Sequence, residues 1–215
     1  MNELTNLRPE PPAFSALQAA RAAMVAELGR PRTTWKTHAL LLVAASLGFA
    51  ALIAVGVLGS GAAEPATLAA RWLSLAALAL VGPLLAWSAA RPGGVGWRRG
   101  GWALAAVSAV TLVGTRPAQV SSLSTSPEWV CTLSHLGVAV PAMVVALLLL
   151  RGMAFNAGRA IAAGLAVGTT GALLGELMCG RNAAHIAVFH LASWSLAAVA
   201  VVALSFTARR KSFAP

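Results

Sequence analysis

The sequence predicts an all-α membrane protein: six transmembrane helices in a bundle, with a short amphipathic cytoplasmic helix at the N-terminal end. Three observations predict it. Hydrophobic residues make up 58% of the 215-residue chain and charged residues only 10%, whereas soluble domains carry about 25% charge. Apolar residues gather into six runs, 39–58, 72–90, 101–114, 131–150, 160–179 and 183–206. All but the third reach the roughly 17–25 residues that cross a hydrocarbon core as helix. The cations are unevenly placed: with a cytoplasmic N-terminus, only Arg71, Arg116 and Arg181 of the 16 basic residues fall outside. That is a positive-inside pattern, and it supports an even number of spans.

The net charge of +10 is thereby assigned to topology and to an anionic inner leaflet. Direct nucleic-acid binding is not expected. No run shows the two-residue alternation of a barrel strand. The first apolar run begins too far from Met1 for a cleaved secretory leader. The expected location is the bacterial inner membrane, multi-pass, with both termini cytoplasmic.

Residues 1–37 form the cytoplasmic N-terminal segment. The prolines of "RPEPP" (8–12) lack N–H donors and cannot sustain a helix. Residues 13–28 are rich in helix formers. Phe14, Leu17, Met24, Val25 and Leu28 recur on one side, with Gln18, Arg21 and Glu27 elsewhere, and Gly29 and Pro31 supply a stop. Such a stripe suits either a membrane surface or a cytoplasmic partner. Residues 38–208 form the six-span domain and 209–215 a basic cytoplasmic tail. The short third run is expected to borrow from 115–120 or to sit in thinned bilayer. The fifth run carries Gly164, Gly168, Gly171 and Gly175 on one face, which lets helix backbones approach closely. That face suits a neighbouring helix of the same chain or, as the lesser alternative, a homo-oligomer.

Polar residues concentrate in "GELMCGRNAAHIAVFH" (175–190), where Glu176, Cys179, His185 and His190 close an apolar run. Upstream, "EWVC" echoes "ELMC", and His135 follows Cys131 by four residues. The two intervening legs are each about 20 residues, or roughly 30 Å of helix, so Cys131 and Cys179 return to one depth on the periplasmic side. Ionisable groups at such depth are costly and invite a functional reading. Three roles remain open for Cys131, Cys179, His135, His185, His190 and Glu176. They cap and pack helix ends, or the cysteines form a disulfide, or thiolates and imidazoles hold zinc, copper or another soft metal. No motif for hydrolysis or phosphate binding occurs, so no enzyme is expected. The alternative function is a small metal or solute transporter or channel subunit, which would carry polar groups near mid-membrane. Here the helix centres are Ala, Leu and Val, interrupted mainly by Pro83 and Pro141.

A short N-terminal helix, six spans, a cysteine opening the fourth span, and "PAMVVALLLLRG" (141–152) leading into "AAGLAVGTTGALLGELMCG" (162–180) together resemble the NrsF/CarR-type multi-pass anti-sigma factors. The resemblance implies a protein that sequesters an extracytoplasmic-function sigma factor and releases it on a periplasmic or membrane stress signal. It maps the family's two periplasmic cysteines onto Cys131 and Cys179, and its following histidine onto His190, with His185 a second match. It also implies that the sigma factor docks on residues 1–37. Gly180 departs from the family pattern, which has Pro directly after the second cysteine.

Overall fold

The computed structural model describes residues 18, 21, 35–61, 65–116, 127–151, 153 and 155–207. The chain divides into two units, Met1–Thr34 and Trp35–Pro215. In the first, Gln18 and Arg21 are helical and exposed. Phe14, Leu17, Met24, Val25 and Leu28, proposed above as a docking stripe, lie outside the described residues, as do 209–215.

The second unit is all helix, with no strand among the described residues. Its elements are α1 (Trp35–Gly59), α2 (Pro65–Ala90), α3 (Val95–Gly114), α4 (Trp129–Leu150), α5 (Ala157–Met178) and α6 (Ala183–Thr207). Five of them, all but α3, are long and apolar enough to cross a membrane. The third element departs from expectation in one respect. It reaches 20 residues by starting early, at Val95, and it closes at Gly114 with Thr115 as its cap, so it does not borrow from 115–120. Gly93, with φ 64°, takes a left-handed conformation that L side chains rarely adopt. This reverses the chain tightly enough between α2 and α3 for the helix to begin two residues later.

α5 is the central helix. Its apolar window is 78% buried, against 17% for α1, and it packs on α2, α4, α6 and α1. Small residues make this possible. A Cβ on Gly164 would lie 2.5 Å from Ala198 Cα of α6, one on Gly168 would overlap the Trp194 ring, and one on Gly171 would lie 2.7 Å from the His135 carbonyl oxygen of α4. The glycine face is therefore taken up inside one chain, which corrects its use as a homo-oligomer surface. Trp194 Nε1, drawn in beside Gly168, donates to the Leu165 carbonyl at 2.7 Å. Buried hydroxyls are satisfied locally: Ser88 bonds the Leu85 carbonyl, Ser108 that of Leu104 and Thr170 that of Val167. The outer surface is apolar, with Leu52 and Leu80 each 68% and Val110 72% exposed.

Candidate metal-binding site

The site lies where α5 ends. α5 stops at Met178, and Cys179 is extended at φ −95°, ψ 115°, its N–H still bonded to the Gly175 carbonyl at 2.8 Å. Residues 179–182 cross to α6 without regular structure, and Asn182 caps α6 by accepting from the His185 N–H at 3.0 Å. A π turn over Ile186–His190 follows. In a regular α-helix His185 and His190, five residues apart, would point about 140° away from each other. The wider π turn carries an extra residue and brings both rings toward one side, 5.3 Å apart between centroids. Nearby backbone carbonyls find side-chain donors: Thr132 Oγ1 donates to Phe189 O at 3.1 Å and Ser193 Oγ to His190 O at 2.7 Å.

Cys131 on the first turn of α4, Cys179, His185 and His190 converge. One ligand atom from each lies within 4.8 Å of every other. Both thiols are free and partly buried, while the histidines are only 4% and 3% exposed. Both His185 ring nitrogens and His190 Nε2 are buried without a hydrogen-bond partner. An unpaired buried imidazole nitrogen is costly, and two sulfurs with two imidazoles is a donor set suited to zinc or copper. The residues present fit such a cation.

The two other predicted site residues go elsewhere. His135 stands behind His190 with its ring edge-on at 4.2 Å, and its Nδ1 bonds Ser193 Oγ at 3.0 Å. Gly175 makes room for both rings, since a Cβ there would lie 2.5 Å from His135 Nε2 and from His190 Nδ1. Glu176 turns away from the thiols to form an ion pair with Arg116, both side chains only 1% exposed.

The sequence reading missed what surrounds Glu176. Arg71 of α2 donates to the Glu176 carbonyl at 3.1 Å and the Cys179 carbonyl at 2.9 Å, and Arg116, just past α3, donates to the same Cys179 oxygen. Two guanidinium groups thus hold the last carbonyls of α5, where the helix dipole favours cations. The signal was available, because Arg71, Arg116 and Arg181 stand apart from the other cations in an apolar chain, and a buried guanidinium needs a partner. At the rim Arg181 Nη1 reaches Glu128 Oε1 at 3.4 Å, and His185 Nδ1 lies 3.9 Å from the same oxygen.

Comparison with known proteins identifies the family. Residues 60–209 match the family model NrsF, described as "Negative regulator of sigma F". The chain belongs to the NrsF family. It is also 44% identical over 203 residues to the carotenogenesis protein CarR of Myxococcus xanthus, an alignment covering 94% of this chain and 91% of that one. No solved structure matches. The span matched to the NrsF family begins just past α1 and contains both cysteines, His135, His185, His190, Glu176 and both clamping arginines. NrsF-family membership marks a negative regulator of a sigma factor.

Proposed function

We propose that this NrsF-family chain is an inner-membrane anti-sigma factor. It holds an extracytoplasmic-function sigma factor through residues 1–37 and releases it when a periplasmic stress signal acts on the cysteine–histidine site. The membrane reading is supported by five long apolar helices, an outer surface of exposed Leu and Val, and the one-sided cations. The convergence of Cys131, Cys179, His185 and His190 within 4.8 Å carries the signal-site reading. A soft cation would be held there by two thiolates and two neutral imidazoles, the thiols giving up their protons on binding. An oxidant that accepts two electrons and two protons would instead join the same sulfurs.

Coupling has a physical route. The Cys179 carbonyl is bonded to Arg71 and Arg116, so movement of Cys179 acts on α2 and on the end of α3. Regulation then requires two packings of the bundle that differ in how residues 1–37 are presented. The docking half of the reading is tested by Leu17→Asp with Leu28→Asp. An unpaired charge in an apolar contact costs several kcal/mol, so the sigma factor should no longer co-purify with a chain that still reaches the membrane. Undiminished co-purification would show that the sigma factor docks elsewhere.

A further inference from the structure

At the other end of α5 a second group of polar atoms has no carboxylate beside it among the described residues. Arg98, in the first turn of α3, is 6% exposed. It lies against the first turn of α5: a Cβ placed on Gly158 would be 3.3 Å from Arg98 Nε and 3.7 Å from Arg98 Cδ. Arg159, one residue on, stands close enough for its charge to repel that of Arg98. The backbone N–H groups at this helix start add roughly half a positive charge more, with Asn156 Oδ1 accepting from the Arg159 N–H at 3.1 Å. Arg98 Nη1 is buried without a hydrogen-bond partner. Among the described residues the carboxylates are Glu128 and Glu176, and both belong to the cysteine end. Among the described residues three positive elements therefore meet with no carboxylate beside them, an arrangement that a bound anion would complete.

We propose that Arg98, Arg159 and the first turn of α5 bind a phosphate group, supplied by the headgroup of an anionic phospholipid. Phosphate matches the chemistry on offer, since a guanidinium presents a planar fork to paired oxygens and helix N-termini bind oxyanions through backbone N–H groups. The lipid source rests on the topology proposed above, which puts this end in the cytoplasmic leaflet. The phosphate chemistry does not depend on that topology.

The test uses the full chain in detergent, with thermal unfolding and lipid retention measured against phosphatidylglycerol, phosphatidylcholine and inorganic phosphate. Phosphatidylglycerol should be retained and should raise Tm, phosphatidylcholine should do neither, and inorganic phosphate should compete. Arg98→Gln should weaken phosphatidylglycerol binding about ten- to hundred-fold, and Arg98→Lys should fall between. Should Arg98→Gln fail to fold, Gly158→Val fills the space beside Arg98 Nε without changing charge and should weaken binding as well. Equal retention of the two lipids, or unchanged phosphatidylglycerol binding in these variants, would overturn the site. Arg98-dependent protection by inorganic phosphate alone would overturn the lipid source. The readout needs no sigma factor, so its failure leaves the regulatory reading standing.

Discussion

Glu176 shows how a single side chain can be legible in type and misplaced in role. Its spacing of three from Cys179 puts it beside the thiols on a helical projection, and a carboxylate there reads as a ligand. In the fold it is paired with Arg116 and sits under the carbonyl clamp of Arg71. The reason is energetic, because a buried guanidinium left unpaired is far costlier than an imidazole left neutral. The carboxylate is therefore drawn to the arginine. Arg116→Met should destabilise the chain by about 3–5 kcal/mol by stranding Glu176, whereas Arg116→Met with Glu176→Leu should recover most of that loss. Reversible unfolding in mixed detergent micelles checks both; a double variant no better than the single one would show that the arginine acts mainly through the Cys179 carbonyl.

At the scale of elements, helix existence was legible and helix irregularity was not. The runs 131–150 and 183–206 became α4 and α6 within two residues at each end. The equal legs on either side of residues 151–156 set the two cysteines at one end of the helix pair, and the packing of α4 on α5 brought them together. The π turn at Ile186–His190 left no apolar-periodicity signal, because one extra residue shifts the pattern by less than the width of the buried face. Its trace is the five-residue spacing of His185 and His190. His185→Ala, which leaves the π turn and the α4–α6 packing in place, should remove one imidazole and lower zinc affinity at least about ten-fold. Equilibrium zinc titration with a chromophoric chelator measures this, and unchanged affinity would remove His185 from the site. The glycines offer a parallel test. Gly164→Val meets the Ala198 backbone and should cost about 1–3 kcal/mol or more, while Gly180→Ala, with nothing within 4 Å of its Cβ position, should be neutral in the same unfolding assay.

For the whole molecule, the length and spacing of the apolar runs located the helices before any contact was known. Run length is a one-dimensional property that survives in the sequence. The arginine clamp and the Arg98 site depend on which helices meet, and single-chain periodicity does not carry that. Topology is the claim that organises the rest. Reporter fusions near residues 93 and 153 and after 207 should read cytoplasm, and fusions near 62 and 122 should read periplasm. A periplasmic C-terminus would make the span count odd and move the cysteine site to the wrong side for an external signal.

The central claim is that the cysteine–histidine site receives the signal and the rest of the chain only relays it. A sigma-dependent reporter in cells challenged with zinc, copper or a thiol oxidant tests this most directly, comparing wild type with Cys131→Ser, Cys179→Ser and the double variant. Each serine variant should insert and repress like wild type yet fail to respond. The single variants should match the double variant, because loss of either thiol destroys a shared site. A response that survives in the double variant, or partial losses that add, would contradict the account and reduce both cysteines to packing residues.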